Sequence, residues 1–153
     1  CLSFTAPAPA AELPLLSINL APPLEEGWGQ LSNSNAPSAR YSHTALWTGS
    51  NLLVWGGSGS IFPLDPGGKY DPTANTWSPM TTVGAPPREP GDSVVWTGSK
   101  MLVWTYNFSG TTKNAGAAYE PMLNIWTPIS TTNAPTPRSQ AAFVWTGSEL
   151  IVW

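Results

Sequence analysis

The sequence predicts an all-β fold made of a repeated unit of four short strands, and three observations carry that reading. The nine tryptophans fall into three sets, Trp28/Trp77/Trp126, Trp47/Trp96/Trp145 and Trp55/Trp104/Trp153, and within every set the spacing is 49 residues. Gly, Pro, Ser, Thr and Asn recur throughout, with 14 Gly and 17 Pro in 153 residues, and leave no room for a long helix. A 41 % hydrophobic and 11 % aromatic content nonetheless supports a packed core rather than a disordered chain.

Other residues keep the same period. Ala36-Pro37 returns as Ala85-Pro86 and Ala134-Pro135, and Tyr70-Asp71-Pro72 is matched by Tyr119-Glu120-Pro121. No insertion or deletion interrupts the pattern from Trp28 to Trp153. A fixed period of this length points to a repeat architecture.

The elements follow in order along one unit. A first strand is predicted over 42–47, matched by 92–96 and 141–145. Next comes Thr48-Gly49-Ser50-Asn51, repeated as Thr97-Gly98-Ser99-Lys100 and Thr146-Gly147-Ser148-Glu149. Gly suits a positive φ in a tight turn, and neutral, basic and acidic occupants of the fourth position imply that the turn is solvated. The second strand reads Leu52-Leu53-Val54-Trp55, then Met101-Leu102-Val103-Trp104, then Leu150-Ile151-Val152-Trp153. Apolar runs without alternation are the pattern of strands covered on both faces. The third strand holds Tyr70 or Tyr119. A turn follows in which Pro72 or Pro121 presets φ and Asn75 or Asn124 takes a left-handed conformation. The fourth strand is predicted to open at Trp28, Trp77 or Trp126.

Four strands in about 50 residues, covered on both faces, match the blade of a β-propeller. The residues also resemble the kelch repeat family. The resemblance rests on Arg40 and His43, on the hydrophobic strand ending in Gly56-Gly57, and on Tyr70-Asp71-Pro72 followed by Asn75-Thr76-Trp77. It covers residues 28–153, about four fifths of the chain. The Trp-Thr-Gly-Ser turn resembles that of bacterial, exported kelch proteins. Three departures stand out: Thr105-Tyr106 replaces the paired glycines, Arg88 sits one place early relative to Arg40 and Arg138, and His43 gives way to Asp92 and Ala141.

The period of 49 fits residues 28–153 about 2.6 times, whereas propellers close with about 4–8 blades. The expectation is a partial kelch-type propeller over 27–153, with units at 36–84, 85–133 and 134–153 and the last strand of a preceding unit near 27–32. Its first partner would be the remaining blades of the same polypeptide; several short chains completing one ring are the alternative. Residues 1–26 form an Ala/Pro-rich leader or linker outside the repeat. Ala8-Pro9-Ala10 fits a signal-peptide cleavage site, Cys1 fits the lipid-bearing first residue of a lipoprotein, and an interdomain linker is the third reading. An extracytoplasmic location, secreted or at the cell surface, is expected.

Composition also removes functions. Six Lys and Arg without a cluster, in a chain of net charge −3, disfavour nucleic acid and anionic membranes as partners. No apolar run approaches the roughly 20 residues of a membrane-spanning helix. One Cys and one His supply no metal site built from those ligands, and a kelch oxidase of the galactose-oxidase type lacks its second His here. Asp65, Asp71, Glu89 and Asp92 are too scattered for a catalytic carboxylate pair. No catalytic residue, metal or cofactor is predicted.

The resemblance implies that Arg40, His43, Arg88, Asp92 and Arg138 line one mouth of the central channel, where arginines suit anionic groups. In the alternative reading each arginine ties a loop to the adjoining blade. Tyr106 and Phe108, in a loop over 105–115, and the loop over 57–68 complete the predicted binding surface. All nine tryptophans are assigned to the core, as packing between blades rather than sugar platforms. The function expected is that of a non-catalytic scaffold for a protein or glycan ligand. A carbohydrate-directed enzyme whose active residues lie outside this sequence, and a structural cell-surface repeat protein, are the alternatives.

Overall fold

The computed structural model describes residues 29–60, 66–87, 92–107, 113–136 and 141–153. The chain divides into Cys1–Gln30 and a second unit, Leu31–Trp153, which holds every strand described below. The fold is all-β, with no helix among the described residues.

Two four-stranded antiparallel sheets repeat the same meander. The first comprises β1 (Thr44–Trp47), β2 (Leu52–Trp55), β3 (Gly67–Asp71) and β4 (Thr76–Pro79), paired in that order. The second comprises β5 (Ser93–Trp96), β6 (Met101–Asn107), β7 (Lys113–Glu120) and β8 (Ile125–Pro128), again in chain order. A third sheet has two strands, β9 (Phe143–Trp145) and β10 (Leu150–Val152). The register repeats with the sequence: Thr44 opposes Trp55 as Ser93 opposes Trp104, and Tyr70 opposes Trp77 as Tyr119 opposes Trp126. These are blade-like sheets, and they do not close on one another among the described residues.

The turns follow from local chemistry. Gly49, Gly98 and Gly147 adopt φ of 99°, 100° and 106°. In each of these turns the Thr hydroxyl oxygen (Thr48, Thr97, Thr146) accepts from the backbone N–H three residues on, and the Thr N–H donates to that residue's carbonyl. Asn75 and Asn124 take the left-handed φ of 51° and 53° between the third and fourth strands. Asn tolerates that region because its short polar side chain bonds locally.

Several predicted boundaries move. β1 begins at Thr44 rather than at 42, because Ser42 has a φ of 53° that breaks the extended run. β5 and β9 are correspondingly shorter than predicted, and β4 and β8 begin one residue before their tryptophans. Residues 29–32 carry no strand. Instead the Ser32 N–H donates to Asn75 Oδ1 and the Ser32 carbonyl accepts from Trp77 Nε1, so side chains hold this backbone in place of a ladder.

The core lies between the first two sheets. Leu53 and Trp55 face Met101, Val103, Ala117, Tyr119 and Trp126 across the joint, with Met80 of the connecting segment between them. The Trp55 and Trp126 rings meet at 4.5 Å between centroids in a tilted arrangement. The fourth-strand indole also clasps the segment leading into its own sheet. Trp126 Nε1 donates to the Thr81 carbonyl at 2.9 Å and Asn124 Oδ1 accepts from the Thr81 N–H, as Trp77 and Asn75 do with Ser32. The second joint continues the pattern, with Trp104 against Phe143 at 6.4 Å.

The tryptophan assignment holds for part of the set. Trp55, Trp104 and Trp126 are buried, and Trp77, Trp96 and Trp145 are half-buried. Trp47 and Trp153 are exposed, a correction to their placing in the core. Trp96, the counterpart of Trp47, packs toward the first sheet; no described sheet lies across from Trp47. Trp153 follows a two-stranded sheet, without the third strand and next sheet that cover Trp55. Trp28 lies outside the described residues.

Candidate functional site

The antiparallel meander sends the strand ends to two opposite edges of each sheet. One edge carries the Thr-Gly-Ser turns and the Pro-x-x-Asn turns, which repeat nearly unchanged. The other carries the starts of β1 and β5, the ends of β2 and β6, and the starts of β3 and β7, and there the two units diverge.

The divergence begins at Gly56-Gly57. Their φ values of 67° and 88° end β2. Tyr41 and Ser58 then exchange two backbone hydrogen bonds of 2.8 Å, an isolated antiparallel bridge that resumes the β1–β2 register beyond the two glycines. A Cβ on Gly57 would sit 2.7 Å from the Tyr41 carbonyl oxygen and 2.9 Å from His43 Cβ, so only glycine fits. In the second unit Thr105-Tyr106 has no such freedom, and β6 runs on to Asn107, paired with β7 down to Lys113. Residues 105–107 and 113–115 are therefore strand and not loop, a correction with a plain cause: two residues that favour extended backbone stand where two glycines would break it.

Arg40, His43 and Asp92 converge on this corner. Arg40 Nη1 donates to the Gly56 carbonyl at 2.9 Å and Nε to the Ser38 carbonyl at 3.0 Å. Asp92, from the start of the second sheet, places Oδ2 3.7 Å from the position a Gly56 Cβ would occupy. His43 is exposed, whereas Asp92 Oδ1 is buried. The arginine thus ties its loop to the strand end of its own sheet. Tyr106 falls on β6, and Arg88, Phe108 and Arg138 lie outside the described residues.

Trp55, one residue before Gly56, also lines a cleft of about 290 Å³ with Pro66, Thr82, Ala85, Pro86 and Pro87. Its Nε1 is buried and has no hydrogen-bond partner among the described residues. The cleft is apolar and proline-rich, the kind of lining that stacks flat or apolar groups. Sequence reasoning missed it, because Pro66 and Pro86 come from separate loops that only the sheet stacking brings together. No group of three or more His, Cys, Asp or Glu among the described residues is placed to hold a metal ion. No described helix is long and apolar enough to cross a membrane.

No family model matches the chain, and a comparison with curated proteins gives no match either. Fold and corner geometry define a protein of repeated, blade-like antiparallel sheets with one constant and one variable edge.

Proposed function

We propose that this chain is a kelch-type, non-catalytic binding scaffold whose ligand, a protein or a glycan, is met at the variable edge. The observation that carries the reading is where the two units differ. Repeated residues build the sheets, the Thr-Gly-Ser turns and the indole clasps, whereas His43/Asp92 and Gly56-Gly57/Thr105-Tyr106 all fall at one edge. Scaffolds of stacked repeats keep the framework constant and vary the surface that recognises a partner. The exposed imidazole of His43, the Asp92 carboxylate and the cleft under Trp55 give that edge polar and apolar contacts side by side. The resemblance of the Trp-Thr-Gly-Ser turn to exported kelch proteins supports an extracytoplasmic location.

Glycan and protein arrays probed with the chain test the reading. A ligand found there should be lost on His43→Ala with Asp92→Ala, and kept on Ser50→Ala with Ser99→Ala at the constant edge. The reverse pattern would refute it.

A further inference from the structure

The turn between the third and fourth strands keeps its frame in both four-stranded sheets and changes what it displays. Asn75 and Asn124 share the left-handed backbone, and Tyr70 and Tyr119 each donate a hydroxyl to that asparagine's Oδ1 at 2.8 Å. The same oxygen accepts from the Ser32 N–H in one case and the Thr81 N–H in the other. Around Asn75 the exposed positions are Ser34, Thr73, Ala74 and Thr76. One period later they are Val83, Met122, Leu123 and Ile125, which are 80 %, 88 %, 61 % and 44 % exposed.

Neither the turn nor the stacking of sheets calls for this exchange. The first sheet builds the same turn from small and polar residues. Its four positions stay exposed although the complete second sheet packs against the first, and the later four stay exposed with the first sheet in place. Stacked sheets of this repeat therefore leave the turn bare on either side. Large apolar side chains gathered round one asparagine mark an interaction surface.

The surroundings of the turn point to lipid. Met122 shares a cleft of about 290 Å³ with Trp96, Ser50, Asn51, Ser99 and Glu120, an amphipathic ring among hydroxyls and an amide. Indoles beside an apolar tip suit the headgroup level of a bilayer. The charges balance. Lys69 Nζ donates to the Pro121 carbonyl at 3.1 Å, Lys100 pairs with Glu120 at 3.3 Å, and Asp71 leads into the matching turn of the first sheet. Ammonium and carboxylate groups in equal number match a headgroup that carries both signs, whereas an anionic surface is met by clustered Lys and Arg.

We infer that this turn seats the chain on a zwitterionic phospholipid bilayer, with Val83, Met122, Leu123 and Ile125 entering the interface. Apolar side chains that reach just below the headgroups give reversible binding of this kind. The variable edge lies at the other end of the same strands and faces away from the lipid. The inference thus goes beyond the scaffold reading and does not depend on it.

Flotation of the 153-residue chain with phosphatidylcholine vesicles tests this. The wild type is expected to float with the vesicles, equally well with or without phosphatidylserine and at low or high salt. Met122→Asp with Leu123→Asp should lower the apparent partition coefficient at least about tenfold. Thr73→Asp with Ala74→Asp, at the matching turn of the first sheet, should leave it unchanged. Val83→Asp with Ile125→Asp replaces the first pair if that variant loses the near-ultraviolet circular dichroism of the wild type. A wild type that stays in the aqueous phase, a Met122 and Leu123 variant that still floats, or flotation that requires phosphatidylserine would overturn the inference. So would capture of a protein through these four residues by a chain that ignores the vesicles.

Discussion

Asn124 has a left-handed backbone, with φ of 53°, and a side-chain oxygen that accepts from both the Thr81 N–H and the Tyr119 hydroxyl. These two roles separate by substitution. Asn124→Gly keeps the backbone and loses the hydrogen bonds, and should cost about 2 kcal/mol. Asn124→Ala loses both and should cost about 1–2 kcal/mol more, because a Cβ disfavours the left-handed region; urea denaturation of the two variants checks the difference. Tyr119 adds a pH dependence. Burial raises its phenol from 10.0 to about 12. The unfolded chain gives up that proton near pH 10 and the folded chain near 12, so the stabilisation is whole below pH 10 and is lost as pH rises from 10 to 12. Its size is on the order of 2–3 kcal/mol, and Tyr119→Phe should remove this alkaline slope from denaturation midpoints. The asparagine was readable from sequence, since Pro-x-x-Asn spacing before a tryptophan specifies the turn. Gly116 was not: a Cβ there would lie 2.8 Å from Trp104 Cε3, and nothing in a sequence announces a ring lying over a neighbouring strand.

Strand length in the second and third positions is decided by two residues. Gly56-Gly57 end β2 after four residues, whereas Thr105-Tyr106 carry β6 to seven. Gly57→Ala should cost about 2–4 kcal/mol, combining positive φ with a Cβ driven into Tyr41 and His43. It should also open the Tyr41–Ser58 bridge, read as faster amide exchange at those two residues. The ten strands among the described residues were specified by pattern, because apolar runs, Gly turns and Asn turns recur at a fixed period. The length of the β6–β7 hairpin was missed because the two loops share a length and almost no sequence, so the first unit's break was carried over to the second. The Arg40 clamp on Gly56 was half visible: the arginine's position was plain, its carbonyl partner in the same sheet was not.

The sheets are held in sequence by indoles doing two separate jobs. Second-strand tryptophans, as at Trp55, fill the joint, and fourth-strand tryptophans, as at Trp126, meet them and hydrogen-bond the connecting segment. Trp126→Ala removes a buried ring and one hydrogen bond together, and should destabilise the chain by about 3–5 kcal/mol in thermal or urea unfolding. Identical spacing in the sequence hid that Trp47 and Trp153 stand exposed, because burial depends on which sheet lies opposite and a period does not state that. The most direct measurement of the joint is indole N–H exchange followed by nuclear magnetic resonance. Trp77 and Trp126, which donate to the Ser32 and Thr81 carbonyls, should exchange slowly, Trp47 and Trp153 should exchange at once, and the Trp55 and Trp126 rings should show mutual Overhauser contacts. A Trp126 indole exchanging as fast as that of Trp153, with no contact to Trp55, would contradict a fold built on indole-sealed joints.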